Sequence, residues 1–363
     1  MRLMRRCGGL DQGSPRTPAL RPLPRPDAWT ALPGGAMRSG SRAPLGALLI
    51  ALAVSLGSGS ASGQTWPTRT VTLAVGVPPG SAPDAYARTI AERMARDLGQ
   101  QVLVETRAGA NGNLAADFVL RAPADGHTLW IAAQSMVEIN PSAYDELRWK
   151  PADFVGVIKG AEAPLVLVVH PSVPARTVTE FESWIRANPS RAMYGSFGGG
   201  TTSQFAGTML AERMNLPMTH VPFNGSAPQT QNLVGGHVLF GFTQIQSGVP
   251  HIRDGRLIAL ATTGTTRWRQ LPGTPTLIES GFKDLVATTW FGIMARSSTP
   301  PDILARVVDA ARRAHADPEM RGKLETMGLD VSGLSGAAFD EDIRAGLARW
   351  GAMVKATGFK ATQ

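Results

Sequence analysis

Cysteine is almost missing from this 363-residue chain, which has one, Cys7. That excludes a disulfide framework and, beyond residue 7, a thiol nucleophile or a cysteine-bound metal. Long apolar runs are also missing. The strongest, LGALLIALAVSL at residues 45–56, is too short to span a bilayer. Histidine is sparse and scattered: His127, His170, His220, His237, His251 and His315 stand singly and never as H-E-x-x-H. Ser196 sits in YGSFG, which is not the G-x-S-x-G of a hydrolase elbow. Aromatics amount to 6 %, and Phe197, Phe223 and Trp290 stand out only because they adjoin glycine loops or an apolar segment. These absences leave an enzyme little to work with. No cofactor or metal is expected.

What is present begins with a targeting pattern. The apolar run follows Arg38 and Arg42 and precedes the small-residue stretch GSGSASGQ, as in a secretory signal. Residues 1–63 are therefore read as a signal sequence, with translation expected to start at Met37 and processing near Ala61, Ser62 and Gly63. Those 63 residues hold eight Arg against Asp11 and Asp27, a net of +6, so the total of +8 leaves about +2 for the rest. The basic character belongs to the leader, and nothing points to nucleic acid.

From Gln64 onward short β-branched runs alternate with helical patterns, the mark of an α/β fold. TVTLAVGV, QVLVET, HTLWIAA, PLVLVVHP, AMYGSF, THVPF, HVLFGF and RLIALATTG read as strands. AYARTIAERMARDLG reads as a helix whose Ala87, Ile90, Ala91, Met94 and Leu98 share a face and which Gly99 stops. After TTWFGIMAR come three helical stretches with few strands of their own, so they must pack on a sheet built earlier, which implies a discontinuous first lobe.

The phrase GSAP occurs twice, at residues 80–83 and 225–228, each time between a strand and a helix. In Ser81-Ala82-Pro83-Asp84 the S-x-x-D spacing predicts a capping box, and Ser226-Ala227-Pro228-Gln229 repeats it with Gln. Such junctions present backbone amides at the positive end of a helix, suited to a carboxylate or phosphate. A third strand-to-helix loop, GSFGGGTTSQ at 195–204, adds glycines and hydroxyls but lacks the G-K-[ST] ending of a P-loop. It suits a small anion.

Together the phrases WPTRTVTLAVGVPPGSAPD, VLVETRAGANGNLAAD, PADGHTLWIA, INPSAY, YGSFGGGTTSQFAG, VPFNGSAP and WFGIMAR, in this order, resemble the Bug family of periplasmic receptors, the substrate-binding proteins of tripartite tricarboxylate transporters. The resemblance implies a type II periplasmic-binding-protein fold, two α/β lobes joined by two crossing strands with the ligand in the cleft. Lobe 1 is expected at 64–165 plus 288–363 and lobe 2 at 166–287. It also implies a small carboxylate ligand, held without chemistry on backbone amides, often through ordered waters. Carried onto this chain, the ligand-binding positions are Gly80, Ser81, Ala82, Asp84, Ser196, Gly200, Thr201, Thr202 and Ser203, with Phe223, Gly225 and Ser226 nearby. Asp84 is expected to order the first loop rather than touch the anion, because two carboxylates would repel.

The chain departs from the family pattern at several of these places. Ser81 stands where a glycine is usual, Pro83 precedes the acid, Asn224 replaces a Lys, Gln204 a His, and Thr243 an Asp. Loss of that acid favours a ligand without an ammonium group. The expected role is a monomeric periplasmic receptor that delivers its ligand to integral-membrane transporter subunits. Two other roles compete with it: a ligand-sensing partner of a signalling protein, and a carboxylate-processing enzyme.

Overall fold

The computed structural model describes residues 66–361. The expected signal sequence, start at Met37 and processing site lie outside the described residues. The described residues form one compact unit.

The first half of the sheet is parallel at its centre. Strand β1 (Val71–Val75) lies between β2 (Val102–Thr106) and β3 (Thr128–Ala133), parallel to both. Between these strands run α1 (Ala82–Leu98) and α2 (Asn113–Arg121). Helix α1 buries Ala87, Ile90, Ala91 and Met94, the face read from the sequence, and ends at Gly99 in the left-handed region with φ 62°. A chain reversal there suits glycine, which carries no Cβ to clash. After β3 a five-residue π-helical turn, Ser135–Ile139, leads into the short α3 (Asn140–Ala143).

Strand β4 (Phe154–Val169) is 16 residues long and serves both halves of the sheet. Phe154 to Pro164 pair antiparallel with β9 (Thr288–Arg296), from Arg296 back to Thr288. Leu165 to Val169 pair with β7 (Phe240–Gln244), and Val166 to Val169 also with β8 (Ile258–Thr262). The return passes beside it: Thr263 Oγ1 accepts from Leu165 N at 2.8 Å and donates to Ala287 O, which precedes β9. The second half continues from β7 through β5 (Met193–Ser196) to β6 (Thr219–Pro222), all parallel. Helices α4 (Val178–Ala187), α5 (Thr202–Met214), α6 (Ser226–Val234) and α7 (Ile245–Arg253) connect these strands.

The remaining helices, α8 (Pro301–Ala316), α9 (Pro318–Thr326) and α10 (Ala337–Thr357), return to the first half, as their lack of adjoining strands required. There is one exception. Asp330–Ser335 forms a further strand, β10, antiparallel to β4, where the sequence reading placed only helices.

Of two large apolar cores, one centres on Leu73, Ile90 and Trp130 and extends into the second half at Val166, Leu233 and Ile245, and the other, around Phe181, Tyr194 and Phe240, lies within the second half. A third, smaller cluster joins them: Phe205 of α5 packs with Trp350 of α10, Ile139 and Ala143.

Candidate ligand-binding site

The helices α1, α5 and α6 all start just beyond the carboxyl ends of parallel strands, β1, β5 and β6. That edge is where open α/β sheets leave a crevice. Two adjoining chambers occupy it, an outer one of about 650 Å³ and an inner one of about 50 Å³, which share Val77, Asn111, Phe197 and Gly225 in their walls.

In the first loop Ser81 is the N-cap of α1, but the expected capping box does not form. Gly80, at φ 80°, turns the chain so that its own N–H donates to Asp84 Oδ2 at 3.0 Å. Ser81 Oγ donates backwards to Pro78 O at 2.7 Å. Both Asp84 oxygens also accept from Arg88 at 3.0 Å, so this buried carboxylate is saturated by the loop and its own helix. No intrahelical acceptor exists for the first amides of α1.

The second loop consumes its own hydroxyls. Ser196 Oγ donates to Gly198 O at 2.9 Å and lies 2.6 Å from His220 Nε2. Thr201 Oγ1 donates to Gly198 O at 2.7 Å, and Ser203 Oγ accepts from Phe197 N at 3.0 Å. Gln204 Oε1 accepts from Gly200 N at 2.7 Å. Thr202 Oγ1 leaves the loop altogether and donates to Gln134 Oε1 at 2.6 Å.

In the third loop Gly225, at φ 105°, is the N-cap of α6, and Ser226 is already the first helical residue. The second capping box therefore does not form either. Gln229, its expected partner, donates through Nε2 to Gly195 O and Phe242 O, both at 2.8 Å, and so pins β5 to β7. Ser226 Oγ is buried, lines the inner chamber and has no protein hydrogen-bond partner.

Among the twelve expected positions, Ser81, Thr201, Gly225 and Ser226 line the inner chamber, and Phe223 with Gly225 the outer one. Gly80, Ala82, Asp84, Ser196, Gly200, Thr202 and Ser203 contribute to neither wall. Their bonds shape the loops that do. Sequence reasoning missed Asn111, Ser135, Gln244 and Thr289, which complete the inner wall. It also missed Tyr144, His220 and Lys360 in the outer one. Asn111 carried a signal, since it stands between Gly109 and Gly112 in a tight turn and itself adopts φ 46°.

No acidic side chain lines either chamber among the described residues. The outer wall has one permanent cation, Lys360, ion-paired with Asp145. Burial pushes the His220 imidazole down to about 4, so it is neutral near pH 7. Thr243 is turned toward Thr230 at 3.1 Å, and its neighbour Gln244 faces the chamber. No group of three metal-ligating side chains occurs among the described residues. An acid-free crevice ringed by helix N-termini favours an anion.

The model of the tripartite tricarboxylate transporter family receptor matches residues 86–359. The chain belongs to that family. Its members are solute-binding receptors rather than enzymes, and they are periplasmic. The protein BugT of Bordetella pertussis is 28 % identical over 306 residues, covering 82 % of this chain and 92 % of its own. A solved structure described as R. palustris Rpa4515 with adipate is 31 % identical with a TM-score of 0.77, covering 81 % of this chain and 99 % of its own. MatC from Rhodopseudomonas palustris with bound malate is 29 % identical with a TM-score of 0.73, covering 80 % of this chain and 100 % of its own. The expected resemblance and fold class are both borne out. No helix among the described residues is long and apolar enough to cross a membrane.

Proposed function

We propose that this receptor captures a small carboxylate in the two-chamber crevice and delivers it to integral-membrane transporter subunits. It does so as a periplasmic monomer released from a cleaved signal sequence. The observation that carries this reading is the inner chamber, where Ser226 Oγ stands buried without a protein partner beside the starts of α1 and α6. At about 50 Å³ it has room for one carboxylate group or a few waters. The rest of the ligand would lie in the outer chamber, among Asn111, Asn224, His220 and Lys360. Dicarboxylates the size of malate and adipate, bound by two structural relatives, are the first candidates.

Ser81, Thr201, Gly225 and Ser226 would touch the anion, with the other expected positions holding the loops in shape. Lobe 1 would comprise 64–165 plus 288–363 and lobe 2 166–287, closing on the ligand. A ligand that contacts both lobes favours the closed state by its differential affinity for it, and the transporter would read that state.

The test is a thermal-shift screen of mono-, di- and tricarboxylates on protein freed of co-purified ligand, followed by calorimetry. Binding to the folded state should raise the midpoint as ligand concentration rises. If no acid shifts the midpoint, and neutral or cationic solutes do, the reading fails.

A further inference from the structure

A buried polar chain connects the two halves of the sheet directly beside the inner chamber. Gln134 and Glu138 flank and belong to the π-helical turn after β3, while Thr202 opens α5 beyond β5. Thr202 Oγ1 donates to Gln134 Oε1 at 2.6 Å, and Gln134 Nε2 donates to Glu138 Oε2 at 2.7 Å. Trp290 Nε1 of β9 donates to Glu138 Oε1 at 2.8 Å. All four side chains are buried.

The polarity of the chain is set at one end. Above about pH 7, where Glu138 is a carboxylate, it can only accept, which turns the amide nitrogen of Gln134 toward it and leaves the amide oxygen for Thr202. Helix α10 closes over the acid: a Cβ at Gly346 would fall 2.1 Å from the Glu138 carboxyl carbon, so only glycine leaves space there. Arg349 and Asp342 of the same helix are the charged groups that act on it.

The neighbours of this chain are chamber walls. Ala133, Ser135 and Met136, beside Gln134, line the inner chamber from one side, and Thr201, beside Thr202, lines it from the other. A bond between Gln134 and Thr202 therefore fixes the spacing of the two walls without reaching the chamber.

We infer that Gln134, oriented by Glu138, is a positioning residue for ligand binding: it latches the start of α5 across the crevice and holds the glycine loop in its binding geometry. The role rests on the crevice being the ligand site proposed above. The hydroxyl of Thr202 belongs to the latch rather than to the ligand. Two other ties run alongside, the part-buried bond from Asn111 Nδ2 to Gly200 O at 3.3 Å and the buried apolar packing of Phe205 on Trp350; of the two hydrogen bonds, the latch is the fully buried one.

The experiment has one arm that needs no ligand. In the ligand-free protein, amide hydrogen exchange of residues 198–205 is compared among wild type, Thr202→Val, Gln134→Met, the double variant and Thr202→Ser, with α4 as internal control. The latch predicts that either single change speeds exchange in that loop at least tenfold and leaves α4 unchanged. It also predicts that the double variant exchanges no faster than the singles and that Thr202→Ser restores protection. Unchanged exchange in the singles, or strictly additive effects in the double variant, would overturn it. In the second arm, affinity for whichever carboxylate the screen identifies should drop about tenfold in each single variant and recover in Thr202→Ser. If wild type binds no carboxylate while the exchange pattern holds, the ligand reading fails and the latch stands as a loop-positioning device. If wild type binds and the variants match it in both arms, the latch fails alone.

Discussion

Replacing Ser226 by alanine separates binding from stability. The hydroxyl is 3 % exposed, sits at the first turn of α6 and makes no protein hydrogen bond, so its removal breaks no bond in the folded chain. Alanine suits a helix position at least as well as serine. Ligand-free stability should therefore change by no more than about 1 kcal/mol in either direction. For a two-lobed chain of this size that corresponds to a melting shift of roughly 4 °C at most. Binding should behave differently. A hydrogen bond from a neutral donor to a carboxylate is worth about 1.5 to 3 kcal/mol, which predicts a loss of affinity of roughly 10- to 150-fold. Calorimetry with the ligand found by the screen, paired with thermal melts of the ligand-free variant, measures both. Affinity within twofold of wild type would refute the placement of the anion in the inner chamber. A drop in melting temperature of 10 °C or more would refute the claim that the hydroxyl carries no structural bond.

Two further outcomes follow from other groups. Asp84→Ala should cost about 2 kcal/mol in urea unfolding. It removes the acceptor of the Gly80 amide, a charge-assisted bond, while the partner Arg88, whose side chain is 56 % exposed, adds only a few tenths. Affinity should fall with it through disorder of the first loop, and a large affinity loss at unchanged stability would contradict that role. Burial pushes Glu138 up from 4.5 to about 7, against the lowering effect of the Gln134 and Trp290 bonds. Between these values the folded chain keeps a proton that the unfolded chain has released. This contribution is therefore complete below pH 4.5 and lost as pH rises through 7, by roughly 3 kcal/mol. Urea unfolding of wild type and Glu138→Gln from pH 4.5 to 8 should show the difference, and parallel curves would exclude it.

The parts of the fold that follow a repeating pattern are the parts that composition reveals. Helix α1 shows its buried face at helical spacing, and PLVLVV reads as a strand because every residue is apolar. The first ten residues of β4, FVGVIKGAEA, do not, because Gly156, Lys159 and Gly160 interrupt them. The reason lies in distant parts of the chain: a Cβ at Gly160 would fall 1.9 Å from Tyr86 Oη, and one at Gly156 2.5 Å from the Phe339 ring. Those glycines admit side chains of α1 and α10, a tertiary demand that local propensity cannot express.

The site shows the same division. Its loops were legible from strand, glycine turn and helix start, whereas the destination of each side chain was not. Ser81 and Ser226 looked alike as caps, yet one hydroxyl turns back to Pro78 and the other stays unpaired. The difference arises because Ser81 precedes α1 while Ser226 lies inside α6. Gln134 and His220 carried no motif, and only the packing of separate strand ends sets His220 in the outer wall and Gln134 behind the inner one.

The long strand β4 also marks where the two halves of the sheet change partners. Up to Pro164 its partners are β9 and β10, and from Leu165 they are β7 and β8, so along this strand the two halves meet at one peptide junction. Thr263 clamps the spot by bonding to Leu165 on one side and Ala287 on the other. Proline at 164 fixes one backbone torsion there. The lobe closure proposed above would thus turn about the neighbourhood of Pro164 and Thr263, against a bonded clamp rather than a free loop.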